Sequence, residues 1–311
     1  MKRKSILPLL GVLALLVVLF GVLVPRGLFF TAENLLDLAQ QVSVNAILAF
    51  GLTLVILTGG IDLSVGAVLA LSGVVGVSLL GSAGPWAGIM AGVGVAAVCG
   101  VGNGFFAAST AMPPFIISLA SMLIARGLAL GFNQSRPIPV SSGQTLFLAI
   151  GNERLGGWLP FPVIIMLLVF AGGAVLLHRT RFGQHLFAIG GNREAARFTG
   201  ISIRFHEVMV YGVCGLCAGV AGMIHASQLF SAEPASGNGF ELNAIAAVVV
   251  GGTSFSGGTG SMAGTLLGAV IIGILDKGLN QAGVHFSLQY LVKGGVILGA
   301  VWWDVRRRNR G

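Results

Sequence analysis

The chain has 311 residues, 55% of them hydrophobic and only 9% charged, with a mean hydropathy of +0.93. About a quarter of a soluble domain's residues are charged, so this chain cannot cover a water-facing surface and reads as an integral membrane protein. Its formal net charge of +8 then belongs to membrane flanks and an anionic inner leaflet, not to a nucleic-acid footprint.

Long apolar runs without period-two alternation favour helices over a transmembrane barrel. The 49 glycines, costly in a soluble helix, let membrane helices approach backbone to backbone. Cutting the runs at Gly, Pro and charge clusters predicts an all-α, polytopic helical bundle of about ten segments, some short or broken. They lie near residues 5–24, 41–58, 64–80, 86–108, 113–131, 158–177, 206–229, 241–251, 262–280 and 284–303. The eighth is too short to cross as a regular helix. The whole chain, 1–311, reads as one transmembrane domain with a cytoplasmic loop at about 178–205.

The chain starts with Lys2, Arg3 and Lys4, then an apolar stretch with no small-x-small cleavage site after it. This predicts an uncleaved first helix. The second and third segments are joined by "VILTGGIDLSVGAVLAL", in which Gly59, Gly60, Asp62 and Ser64 interrupt apolar sequence. A carboxylate at bilayer depth is expensive unless compensated. Asp62 reads either as a cap for the following helix or as a group in a solute path. Arg126, alone among apolar neighbours in "SLASMLIARGLAL", reads as a snorkelling side chain or as the partner of a carboxylate such as Asp62. Lys293 offers the same choice between the outer interface and the bundle interior.

The 178–205 loop, "HRTRFGQHLFAIGGNREAARFTGIS", is the most informative polar piece. Within it "NREAARFTG" predicts a short helix, with Asn192 as N-cap, Glu194 in the first turn and Gly200 as terminator. It reads as an ordinary basic loop or as a docking helix for a cytoplasmic partner. "CGLC" (Cys214, Cys217) lies inside an apolar run with no second ligand pair and reads as packing. Farther on, "GGTSFSGG" repeats the earlier "GGIDLSVG", placing Gly251, Gly252, Thr253 and Ser256 beside the first set. Matched interruptions in two halves of a transporter point to its pathway, because broken helices leave polar backbone at depth.

Twelve of the 18 Lys and Arg residues fall in the N-terminal flank, the 178–205 loop and the C-terminal flank that holds Arg306, Arg307, Arg308 and Arg310. Ten spans put all three on one side. The positive-inside rule makes that side cytoplasmic, with both termini inside and segments such as "EPASGNGFE" outside. No G-x-x-x-x-G-K-S/T phosphate loop, H-E-x-x-H or G-x-S-x-G occurs, so the chain offers neither an ATP site nor a hydrolytic one. Its five histidines are scattered along the sequence, without metal-ligand spacing. No catalytic residue, metal site or cofactor is expected in the chain itself.

Four stretches in order, "VILTGGIDLSVGAVLALSG", "PPFIISLASMLIARGLAL", "HRTRFGQHLFAIGGNREAARFTGIS" and "ELNAIAAVVVGGTSFSGGTGSMAGTLLGAVIIGIL", resemble the permease subunits of bacterial ribose-type sugar ABC importers, in the branched-chain amino acid and ribose permease superfamily. The resemblance covers about residues 30 to 300. It implies a type II ABC importer permease fold in the bacterial inner membrane and import of a monosaccharide. It also implies a second permease copy, a periplasmic sugar-binding protein outside, and an ATPase subunit with two fused nucleotide-binding domains that uses ATP and Mg2+ inside. Carried onto this chain, it makes Asn192, Arg193, Ala195, Ala196, Arg197 and Gly200 the ATPase-coupling contact, and the two glycine breaks the lining of the path. The competing class is a standalone secondary transporter of a small neutral solute, for which Asp62 is the one good coupling carboxylate. An intramembrane enzyme lacks any nucleophile–base or metal constellation.

Overall fold

The computed structural model describes residues 7–308. Lys2, Arg3, Lys4 and Arg310 lie outside the described residues, as do the side chains of Arg307 and Arg308. The chain is helical almost throughout: α1 (Leu7–Leu23), α2 (Ala32–Leu57), α3 (Val65–Ala83), α4 (Pro85–Ser109), α5 (Pro114–Phe132), α6 (Thr145–Asn152), α7 (Phe161–Arg179), α8 (Arg181–Gly191), α9 (Arg193–Phe198), α10 (Ile203–Gln228), α11 (Phe240–Val250), α12 (Met262–Gln281) and α13 (Phe286–Arg308). Two antiparallel pairs of two-residue strands fasten the connections: Ile138–Pro139 with Ser231–Ala232, and Arg154–Leu155 with Leu159–Pro160.

Among the described residues, seven helices are long and apolar enough to cross a membrane: α2, α3, α4, α5, α7, α10 and α12. Three shorter apolar stretches, Leu7–Leu23, Phe240–Val250 and Phe286–Trp302, supply the first, eighth and tenth expected segments. The protein is therefore an all-α, multi-pass membrane protein. At 1.5 Å per residue α11 is about 16 Å long, half a hydrocarbon core.

The centre of the bundle is α2. Its last 12 residues, Ala46 to Leu57, are all buried, which is why they are apolar on every side. Around it stand α7, α10, α11 and α12. The closest pairing is between α4 and α10. Along α4 the buried positions Gly88, Gly92, Ala96, Gly100 and Gly104 recur every four residues, forming one small-residue ridge. A side chain at Gly100 would strike Tyr211 O, and one at Gly215 would strike Ala96 O. The two backbones are in direct contact, held by packing without any large side chain between them.

Two sequence expectations need correction. α2 begins nine residues before the expected residue 41, because Thr31 caps Asn34 N–H and Glu33 sits in the first turn; the early turns are polar yet helical. The loops contain two further helices that apolarity could not reveal, α6 and α8. The stretch "EPASGNGFE" is held against the bundle: Arg126 Nη1 donates to Pro234 O and Ser236 O, both at 2.7 Å, and Gly66 leaves no room for a side chain beside Gly237 O. Arg126 accordingly bonds to these backbone carbonyls and not to Asp62.

Candidate functional site

Both glycine breaks end a helix in the same way. At the end of α2, Gly59 N–H donates to Ile56 O (2.9 Å) and Gly60 N–H to Val55 O (3.1 Å), with Gly59 at φ +82°. At the end of α11, Gly252 N–H donates to Val249 O (2.8 Å) and Thr253 N–H to Val248 O (3.1 Å), with Gly252 at φ +86°. These are two Schellman caps, each needing glycine at the left-handed position. By geometry Gly59 therefore matches Gly252, one position away from the alignment of the two Gly-Gly pairs. The serines shift too. Ser64 precedes α3, while Ser261 rather than Ser256 precedes α12 and caps Gly264 N–H at 3.0 Å.

The first break is fully tied down. Asp62, 1% exposed, accepts at Oδ1 from Ser64 N–H (2.9 Å) and Ser64 Oγ–H (2.6 Å). Asn103 Nδ2 on α4 donates to Ser64 Oγ at 3.0 Å. Ile61 O accepts from Tyr211 Oη on α10 and Ser118 Oγ on α5, each at 3.2 Å. Asp62 thus serves the turn that leads into α3, through Ser64, while α5 and α10 satisfy backbone that the break leaves at depth and α4 holds the Ser64 hydroxyl.

The two breaks touch. Gly258 N–H donates to Leu57 O at 2.9 Å, and Thr53 and Thr265 hydroxyls meet at 2.7 Å between α2 and α12. The end of α8 enters the same junction. A side chain at Gly190 would collide with Leu57 O and Gly258 N. Three polypeptide segments therefore meet backbone to backbone.

The next turn after that junction is α9. Asn192 Oδ1 accepts from Ala195 N–H at 2.9 Å, Glu194 lies in the first turn, and Gly200, at φ +83°, closes a third Schellman cap through Ile201 N–H to Ala196 O (3.2 Å). Of the six residues carried over from the resemblance, Asn192, Ala196 and Gly200 shape the helix: Ala196 is buried. Arg193 pairs with the buried Glu207 at the start of α10. Ala195 and Arg197 face out. Beside them Phe198 is 89% exposed, an apolar anchor that the sequence reading passed over. Two of the histidines meet across the fold: His185 Nδ1 and His206 Nε2 lie 3.0 Å apart, stitching α8 to α10. No group of three or more metal-ligating side chains occurs among the described residues.

A cavity of about 390 Å³ lies in the half of the bundle away from α9. Its walls are the first half of α2, the ends of α6 and α10, the start of α11 and the second half of α12. None of Gly59, Gly60, Asp62, Ser64, Gly251, Gly252, Thr253 or Ser256 lines it. Its polar wall comes instead from Gln40, Asn45, Asn152, Gln228 and Asn243. Two carboxylates share the wall, each beside a cation: Asp37 is 3.2 Å from Arg154, and Asp276 is 2.9 Å from Lys293. Lys293 therefore turns to an interior partner. The volume lies in the range of about 300–1,000 Å³ usual for small-molecule sites. The signal was present in the sequence. Asp37, Gln40, Gln41 and Asn45 repeat at helical spacing along one face of α2, but a span drawn from residue 41 cuts that face in two.

Residues 34–301 match the family described as the branched-chain amino acid transport system permease component. The chain is 42% identical to the ribose import permease protein of Escherichia coli strain K12, covering 99% of this chain and 95% of that protein. It is 45% identical to the ribose import permease protein of Bacillus subtilis strain 168, over 96% and 92%. It is 39% identical to the D-allose transport system permease protein of E. coli K12, over 94% and 89%. The chain belongs to this permease family, in its ribose-type branch. Two helix breaks and the short helix α9 form one closely packed end, and a polar cavity occupies the other.

Proposed function

We propose that this permease is the membrane subunit of an ATP-binding cassette importer that carries a monosaccharide from the outer side of the bacterial inner membrane into the cytoplasm. The observation that carries the reading is the near-complete alignment with permeases named for ribose and for allose. The end of the bundle that carries α9 is the cytoplasmic end, as the Lys and Arg distribution requires, and both termini lie there. ATP and Mg2+ are used by a separate ATPase with two fused nucleotide-binding domains. A periplasmic sugar-binding protein delivers the solute, and a second permease copy completes the membrane assembly.

In this scheme α9 is the contact with the ATPase. Movement of α9 passes to Gly190 and Gly191, and from there to the two breaks, because α8 ends inside their junction. The candidate pathway residues Gly59, Gly60, Asp62, Ser64, Gly251, Gly252, Thr253 and Ser256 then form the inner closure of the path. The chain 1–311 works as one permease domain. An ion-coupled secondary transporter fits less well, because Asp62 is already engaged by Ser64 and lies off the cavity wall.

The test is sugar uptake by proteoliposomes holding the permease, its ATPase and its binding protein. Arg197→Glu, which reverses an exposed charge on α9, is expected to leave membrane insertion intact and to abolish uptake while ATP hydrolysis no longer responds to the binding protein. Gly200→Pro, which removes the N–H bonded to Arg197 O, is expected to do the same. Normal uptake by both variants overturns the assignment of α9.

A further inference from the structure

We infer that the 390 Å³ cavity is a binding site for one uncharged sugar ring, formed within a single copy of the chain. The inference rests on the reading above and places its solute. The cavity is walled mainly by amides, and amides supply both donors and acceptors whichever way they turn. Several are already oriented: Gln40 Nε2 donates to Gly151 O at 2.7 Å, Asn152 Nδ2 to Ser227 O at 2.8 Å, and Asn243 Nδ2 to Asp276 Oδ2 at 3.3 Å. In each of these the nitrogen is the engaged atom, and the residue lines the cavity.

Two further atoms have no partner at all. Asn45 Oδ1 and Gln228 Nε2 are buried and make no hydrogen bond. A buried polar atom without a partner costs on the order of 1–3 kcal/mol, so such atoms are rare in native proteins. Here one comes from α2 and the other from α10, on the walls of the same cavity. They are complementary to a ligand that both donates and accepts, as a sugar hydroxyl does. Phe240 adds an apolar ring on the same wall, braced edge-on by His225 with ring centres 5.3 Å apart; an aromatic face suits the C–H side of a pyranose or furanose ring.

The charges decide between the two solute classes attached to the family's names. A branched-chain amino acid is a zwitterion and needs an unengaged cation and an unengaged carboxylate to hold its ends. The wall's two carboxylates instead sit against Arg154 and Lys293. No lysine or arginine lines the wall, so the carboxylate end of such a zwitterion finds no cation there, while the amides match a neutral polyol. The lack of a cation to grip the solute also keeps affinity low, as a path requires if the solute is to leave.

The test uses the full complex in proteoliposomes, with D-ribose and L-leucine as probes. Asn45→Leu and Gln228→Leu keep the side-chain bulk and remove the two partnerless atoms. Each is expected to lower ribose uptake about tenfold, the weight of a lost hydrogen bond. Binding-protein-stimulated ATP hydrolysis should stay within about twofold, and the melting temperature should hold or rise, since no existing bond is broken. Leucine should not be imported. A second measurement does not depend on those variants folding: Asn243→Cys should react with a small charged thiol reagent, and ribose should slow that reaction. Full ribose uptake by both leucine variants, or ribose-independent labelling of Asn243→Cys, overturns the site. If those results accompany sugar import by the unaltered complex, the site alone falls; if the unaltered complex imports no sugar, the transport reading falls with it.

Discussion

The two ends of the bundle are built on opposite principles. At the α9 end, three segments meet with no side chains between them, and the first break's polar groups are each claimed by a neighbour: Asp62 by Ser64, Ser64 by Asn103, Ile61 O by Tyr211 and Ser118, while in the second break Thr253 Oγ1 is left without a partner in a closed core. At the other end, amides from four helices surround open space, and Asn45 Oδ1 and Gln228 Nε2 are left without partners. Direct backbone contact makes a rigid part that moves as a unit. Unpartnered amides around open space leave a place for something else to bind. Glycine and aspartate inside an apolar run thus mark mechanical structure here, while the solute-sized space is walled by residues that look unremarkable one at a time.

The strongest way to break that contrast is to put bulk into the rigid end. Gly190→Val places a branched side chain against Leu57 O and Gly258 N, where even one carbon collides. Backbone cannot swing aside as a flexible side chain does, so the cost is expected at the top of the overpacking range, about 3 kcal/mol or more. The expected outcome is poor yield, a lowered melting temperature and no uptake. A Gly190→Val protein that melts and transports normally would show that the junction opens freely and is no rigid corner.

A smaller effect is expected at α9, and it should separate association from stability. Phe198 is 89% exposed, so Phe198→Asp removes little that the permease alone depends on. Against a docking ATPase, a buried aromatic anchor is commonly worth about 2 kcal/mol or more. Co-purification of the ATPase should fall by at least about tenfold, with the permease's melting temperature unchanged. Retained ATPase binding would move the contact to Ala195 and Arg197 alone.

These positions also show what the sequence displays and what it hides. Apolar runs located the ten segments, because lipid demands them whatever the tertiary structure. The α9 helix was legible for a local reason: its Asn192 cap and Gly200 terminator act within their own turn. The α6 and α8 helices were not, since amphipathic helices of 8 and 11 residues lack both length and uniform apolarity. The repeated Gly-Gly motif was found but set one residue off, because identical letters aligned Gly59 with Gly251 whereas the left-handed backbone aligns it with Gly252. The cavity escaped because its wall exists only after α2, α6, α10, α11 and α12 are brought together. Phe198 escaped because exposure is a tertiary property.

The smallest expected effect concerns Asp62, and it sharpens the contrast most. Its Oδ1 takes both bonds from Ser64, and an asparagine at this position keeps an oxygen there while removing the charge. If Asp62 works by holding the turn, Asp62→Asn should cost about 1 kcal/mol and retain at least partial uptake. Asp62→Leu removes the acceptor altogether and leaves the Ser64 N–H and hydroxyl facing apolar neighbours. It should cost roughly 2–3 kcal/mol more than the asparagine change, seen as a lower melting temperature and lower yield. The ordering wild type, Asn, Leu in both stability and uptake is the signature of a structural turn. A stable, well-expressed Asp62→Asn protein with no uptake would instead require the charge itself in transport, and would place a working group at the end of the bundle assigned here to rigidity.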